Sequence, residues 1–116
     1  MTRTVVIVPT YNEIDNIGQL VEAVFAVDAG CDVLVVDDNS PDGTGRLVDE
    51  IRANEPRLHV LHRPQRLGLG SAYVDGFRHA LDQGYGHLFS MDADLSHDPR
   101  YLPEFLASAG RFEVVV

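Results

Sequence analysis

The chain contains no lysine and no tryptophan; its nine basic residues, all arginine, stand against 18 acids, for a formal net charge of −9 over 116 residues. That deficit excludes the broad basic face of a nucleic-acid binder and a generally cationic surface of the kind that hugs anionic membranes. A single cysteine, Cys31, rules out an intrachain disulfide and any cysteine-rich zinc motif. Lying beside an apolar run, it is expected to pack as a small hydrophobe. No stretch reaches the roughly 18 apolar residues of a spanning helix. Met1-Thr2-Arg3 passes at once into an apolar segment, too abruptly for a signal peptide, so a cytoplasmic protein is expected.

Five short apolar runs alternate with segments of helical period. Val5–Val8, Val33–Val36, Leu58–Leu61, Leu88–Met91 and Val114–Val116 read as strands. The first, second and last are continuously apolar and β-branched, as parallel strands covered on both faces tend to be. Between them Ile14, Ile17, Leu20, Val21, Val24 and Val27 recur at helical spacing. Further helices are read from Leu47, Val48 and Ile51, from Leu69 to Leu81, and from Leu102, Phe105 and Leu106. Ser40-Pro41 and Asp98-Pro99 each read as an N-cap followed by proline at the first helical position, Asn12 as a cap for the first helix, and Gly84 as the end of the third. Such alternation predicts an α/β fold, a Rossmann-like parallel sheet with flanking helices and right-handed crossovers.

Ligands of such sheets bind outside the carboxyl ends of the strands. Three acid-bearing loops emerge there: Pro9-Thr10-Tyr11-Asn12-Glu13, Asp37-Asp38-Asn39-Ser40 and Asp92-Ala93-Asp94. Side chains at i and i+2 of an extended segment point the same way, so Asp92 and Asp94 converge. Two carboxylates held that close repel unless a cation lies between them. Mg²⁺ typically takes one or two protein carboxylates and completes its shell with water and phosphate oxygens. An isolated Asp-x-Asp is more often an acidic surface turn; three polar loops on one rim favour a metal–diphosphate site. Gly68-Leu69-Gly70 opens the third helix after Arg63 and Arg66, and a glycine turn at a helix N-terminus favours anions. It lacks the dinucleotide fingerprint, because it follows the third strand and Tyr73 stands where the last glycine belongs. Arg63 and Arg66 read either as cations facing a phosphate or as solvated loop residues. His59, His62, His79 and His87 show no ligand-like partner.

Pro9-Thr10-Tyr11-Asn12-Glu13, Asp37 to Thr44, Leu67 to Tyr73 and Met91-Asp92-Ala93-Asp94-Leu95-Ser96-His97 arrive in that order. The series resembles the inverting family 2 glycosyltransferases of the GT-A fold and, within them, the dolichol- or polyprenol-phosphate mannose synthases. The Met91–His97 string carries the subgroup; the Tyr-Asn-Glu and Asp-x-Asp elements carry only the family. The resemblance implies nucleotide-sugar binding by Pro9, Tyr11, Glu13, Val36, Asp38, Asp92, Ala93 and Asp94. Tyr11 would offer an aromatic face near the base, Glu13 an acceptor for a guanine N–H or a ribose hydroxyl, and Asp38 a carboxylate for a ring N–H with Val36 beneath the base. Asp37 fits loop orientation better. Asp92 and Asp94 would be the catalytic pair, holding Mg²⁺ or Mn²⁺ on the diphosphate of GDP-mannose. The family's third metal position corresponds to Ser96, and His97 is read as structural.

The implied reaction is inverting transfer of mannose from GDP-mannose to a polyprenyl or dolichyl phosphate at the cytoplasmic face of a membrane. A phosphate monoester with a second pKa near ~6 is largely dianionic at neutral pH and needs little or no general base. Members of the subgroup are longer than this chain. Residues 1–116 are therefore expected to be the donor-binding domain, incomplete at its C-terminus and inactive alone, with a missing C-terminal segment or a membrane-embedded partner supplying the acceptor side. Two alternatives share the fold: a transferase using a UDP-sugar for a lipid phosphate, and a non-catalytic nucleotide-binding fragment of a larger enzyme. A phospho-acceptor receiver domain, also a small α/β unit with an acidic pocket, carries an acid pair after its first strand, a lone acceptor Asp after its third and a lysine after its fifth, whereas here the acid pairs follow the second and fourth strands and the chain has no lysine.

Overall fold

The computed structural model describes residues 3–26, 30–91 and 93. In chain order these form β1 (Thr4–Thr10), α1 (Ile17–Ala26), β2 (Asp32–Asp37), α2 (Thr44–Arg52), β3 (Leu58–His62), α3 (Leu69–Asp82) and β4 (His87–Ser90). The strands pair in the order β3-β2-β1-β4, every pair parallel. The expected fifth strand, the fourth helix and its Asp98-Pro99 start lie outside the described residues.

Alternation along the two inner strands divides the core. Val6, Val8, Val33 and Val35 pack with Ile17, Leu20, Val24 and Val48, so α1 and α2 cover one face. Val5, Ile7, Leu34 and Val36 pack with Ala72 and Ala80 of α3 on the other. Each aliphatic side chain so buried contributes about 1.5–3 kcal/mol. Covering on both faces explains why β1 and β2 show unbroken apolar runs. Cys31 joins the α1–α2 cluster at 2% exposure. Burial pushes its thiol pKa up, which suits a packing residue and not a reactive one.

Two expected helix starts move. Ile14 sits in the turn before α1, whose first turn begins when Ile17 N–H donates to Glu13 O at 2.9 Å. The second helix starts at Thr44, not at Pro41, after Gly43 at φ 95°. The reason is competition: Ser40 Oγ donates to Asp37 Oδ1 at 2.6 Å and accepts from Asn12 N–H at 3.0 Å, leaving it unable to cap. Asn12 likewise does not cap α1, because its Oδ1 accepts from Asp42 N–H at 3.3 Å. The third helix starts and stops as read, between Gly68 and Gly84, both at positive φ.

At the amino ends of the strands a second polar group pins the sheet. Asp32 accepts from Tyr85 Oη, lies 3.2 Å from His59 Nε2 and 3.4 Å from Arg3 Nη2. Burial and then Asp32 raise the Tyr85 phenol to about 12, so it remains a donor through the physiological range. His59 is half-buried and His62 exposed, and each pairs with one carboxylate: His62 Nε2 is 3.0 Å from Asp49 Oδ1.

Helix α3 lies so close to the sheet that Gly76 admits no side chain. A Cβ there would stand 2.8 Å from Ile7 Cγ2 and 3.1 Å from Val36 Cγ2. Alanine gains up to about 1 kcal/mol of helix propensity over glycine, whereas overpacking costs about 1–3 kcal/mol. Gly70, in the same helix, has nothing within 4 Å of its Cβ position. Urea unfolding should show Gly76→Ala destabilised by about 1 kcal/mol and Gly70→Ala neutral or stabilised. Equal stability of the two variants would contradict this packing.

Candidate functional site

The strand order reverses at β1, whose neighbours β2 and β4 are reached by crossovers on opposite faces of the sheet. A crevice is expected outside the carboxyl ends at that switch. A cavity of about 350 Å³ opens there, lined by Pro9, Thr10, Tyr11, Glu13, Asp38, Arg66, Gly68, Leu69, Ala72 and Ala93. Its walls come from the β1 exit, the β2 exit, the β3–α3 loop and the turn after β4.

Asp37 and Asp38 close β2, and both are almost fully buried, at 2% and 4% exposure. Asp37 turns toward α2: a Cβ on Gly45 would stand 2.8 Å from its Oδ2. Its Oδ1 accepts from Thr10 Oγ1 at 2.7 Å and from Ser40 Oγ, and its Oδ2 accepts from Ser40 N–H at 3.0 Å. It orients the loops, the role read for it from the sequence. Asp38 turns to the other side, where its Oδ2 accepts from the backbone N–H groups of Leu67 and Gly68 at 3.1 and 3.2 Å. Its Oδ1 stands 3.1 Å from Nε of Arg63, which is itself buried at 4% exposure. The angle there is not that of a hydrogen bond, so the two attract as close charges. Arg63 Nη2 donates to Ser71 Oγ at 2.8 Å, and Nη1 lies 3.6 Å from Asp75 Oδ2.

Both open readings of Arg63 therefore give way to a third: it faces neither a phosphate nor solvent but holds Asp38 to the start of α3. Breaking such a buried pair by removing one partner typically costs about 3–5 kcal/mol. Arg66 is different. Exposed at the cavity edge, its guanidinium lies over the Tyr11 ring at 4.2 Å from the centroid.

Hydrogen bonds stitch the β1 and β2 exits together. Glu13 N–H donates to Thr44 Oγ1 at 2.9 Å, and Ile14 N–H donates to Asp42 Oδ2 at 3.1 Å. Asn12 and Asn39 both sit at φ 57°, the left-handed region that asparagine tolerates better than most residues. Asn39 Nδ2 reaches across to Pro64 O at 3.2 Å, tying in the β3 exit as well.

Of the residues implicated by sequence, Pro9, Tyr11, Glu13, Asp38 and Ala93 come together around the cavity. Val36 does not line it. Fully buried in the α3 core cluster, it lies under that face of the sheet. Asp92, Asp94, Ser96 and His97 lie outside the described residues. Among the described residues no group of three or more His, Cys, Asp or Glu side chains is arranged to hold a metal ion. Ala93, the middle residue of the Asp-x-Asp sequence, is buried in the cavity wall. Carboxylates are the hard oxygen donors that Mg²⁺ and Mn²⁺ favour, so the chemistry of the Asp-x-Asp sequence suits either ion. Sequence reasoning missed Thr10, Leu69 and Ala72 as wall residues. Thr10 left a signal, a hydroxyl at the end of an otherwise apolar strand.

The glycosyl transferase family 2 model matches residues 5–116. The chain belongs to that family. It is 48% identical, over 98% of its length, to an undecaprenyl-phosphate mannosyltransferase of Micrococcus luteus, and spans 47% of that protein. It is 50% identical, over 90% of its length, to a polyprenol monophosphomannose synthase of Mycolicibacterium smegmatis, and spans 40% of it. The chain thus covers less than half of either relative. Among solved structures, a mannosyltransferase from Pyrobaculum calidifontis in complex with GDP-Man and Mn²⁺ superposes with a TM-score of 0.73 at 31% identity, over 85% of this chain and 29% of that one. The GT-A family fold expected from the sequence is the fold observed.

Asp42 carries the joint between the first two loops of this family 2 site. Slight burial works to raise its pKa, but bonds from the Thr44 hydroxyl and the Ile14 and Thr44 N–H groups bring it below the ordinary 3.8. A carboxyl whose pKa is lowered by folding stabilises the fold fully above its unfolded value and loses that contribution as pH falls through the folded one. Asp42→Asn should cost about 1 kcal/mol at neutral pH. In urea unfolding the gap between wild type and variant should shrink between about pH 5 and pH 3. A gap independent of pH would refute the assignment.

Proposed function

We propose that this chain is the donor-binding domain of a metal-dependent, inverting transferase that moves mannose from GDP-mannose to a polyprenyl or dolichyl phosphate. The observation that carries the reading is the cavity at the switch point, which gathers Pro9, Tyr11, Glu13, Asp38 and Ala93 from three separate strand exits. The names of the two mannosyl-lipid relatives and the GDP-Man bound to the Pyrobaculum structure support it. Such an enzyme would work at the cytoplasmic face of a membrane, as a peripheral protein, because its acceptor is a lipid.

In this scheme Tyr11 and Glu13 receive the base and ribose at the β1 exit. Asp38 backs the same pocket while fixing the glycine turn that forms its outer wall. Asp92 and Asp94 are the residues that would hold Mg²⁺ or Mn²⁺, which when bound offsets negative charge on the departing nucleoside diphosphate. The acceptor phosphate attacks C1 in line and needs no base from this chain.

Calorimetry with GDP and UDP, with Mn²⁺ or with EDTA, tests the reading. GDP is expected to bind in preference to UDP, and only with metal. Asp94→Ala should weaken Mn²⁺–GDP binding by at least about tenfold, roughly 1.4 kcal/mol. Equal affinity in EDTA or in the variant would sink the metal assignment. UDP displacing GDP at equal concentration would favour a UDP-sugar donor instead.

A further inference from the structure

Arg66 and Tyr11 come from different strand exits, yet the guanidinium carbon lies over the ring 4.2 Å from its centroid, and both residues line the cavity. A planar cation on an aromatic face holds the place that a planar base would take there. The loop beneath Arg66 is not free to drift. Its neighbours Leu67 and Gly68 donate to the buried Asp38 carboxylate, and Arg63 anchors the other end to Asp38 and Ser71. Arg66 itself is exposed, so its long side chain can swing while the backbone stays fixed. Among the described residues it is the only cation lining the cavity, whose other charged side chains are Glu13 and Asp38.

We propose that Arg66 is a displaceable cap on Tyr11: an incoming nucleobase takes its place on the ring, and the released guanidinium turns to the diphosphate. The inference rests on the donor-nucleotide reading above and adds a specificity-determining residue to it. Its consequence is a split by ligand. The cap opposes binding of the base alone, because the stacked cation must leave. It favours the diphosphate, because the freed cation then has an anion within reach. Arg66 therefore selects nucleotides over nucleosides at a site whose base contacts do not distinguish them.

The experiment compares guanosine and Mg²⁺–GDP binding to wild type, Arg66→Ala and Arg66→Lys by NMR titration, with Arg66 side-chain resonances followed in the wild type. In the free chain those resonances should be shifted upfield by the Tyr11 ring current and should return toward solvent-like values on adding GDP. Arg66→Ala should bind guanosine about two- to fivefold more tightly, the span expected for removing an exposed cation–π contact. It should bind GDP at least about threefold more weakly, from loss of a charge-assisted contact. Arg66→Lys should bind GDP nearly as wild type does, because its ammonium keeps the charge that meets the diphosphate. Arg66 resonances that stay upfield in the GDP complex would overturn the proposal, as would guanosine binding unchanged or weakened in Arg66→Ala. A wild-type chain that binds neither GDP nor UDP would instead overturn the donor reading on which the proposal stands.

Discussion

Two consecutive carboxylates at the end of β2 organise the whole carboxyl rim. Alternation along a strand sends neighbouring side chains to opposite faces, so Asp37 and Asp38 serve different neighbours. Asp37 takes the Thr10 hydroxyl of β1 and the Ser40 hydroxyl and amide of its own turn. Asp38 takes the backbone of the β3–α3 loop and the charge of Arg63. Because β2 lies between β1 and β3, one dipeptide fixes the exits on both sides. Each unpartnered donor or acceptor left by its loss would cost about 1–3 kcal/mol. Buried acids are tolerated here because almost every oxygen has a partner.

The cavity follows from that arrangement and from the reversal of strand order. On one side β2 presents Asp38 and, through it, the glycine turn with Arg66. On the other, β4 delivers Ala93, with Met91 still in register through its N–H bond of 3.0 Å to Ile7 O. Between them β1 ends in Tyr11 and Glu13. The larger cavity lies at the carboxyl rim, while at the opposite end Arg3, Asp32, His59 and Tyr85 close the sheet beside a small pocket of about 60 Å³. Under the proposed donor-binding role this asymmetry has a purpose: the apolar sheet would hold three loops in fixed relation to one ligand.

How much of this was legible in the sequence depended on distance along the chain. Val5–Val8 and Val33–Val36 announced buried parallel strands because continuous β-branched runs have few other uses. The strand exits named most of the cavity wall, since position at the end of a strand is a local property. The start of α2 was misread because Ser40 has the composition of a cap, while its hydroxyl is taken by Asp37 and Asn12. Asn12 was misread for the same reason. The Asp38–Arg63 pair and the Arg66–Tyr11 stack were invisible beforehand, because each joins residues that only the sheet order brings together. Val36 shows the converse limit: a motif places a residue near a site without saying whether it faces the ligand or the core.

The central claim is that a nucleoside diphosphate occupies the cavity between the β1, β2 and β4 exits. Titrating a ¹⁵N-labelled chain with Mg²⁺–GDP and following backbone amide shifts tests it most directly. The account predicts the largest changes at Tyr11, Glu13, Asp38, Gly68 and Ala93, with Arg3, His59 and Tyr85 at the far end of the strands unmoved. Shifts concentrated at that far end, or spread evenly over the chain, would contradict it.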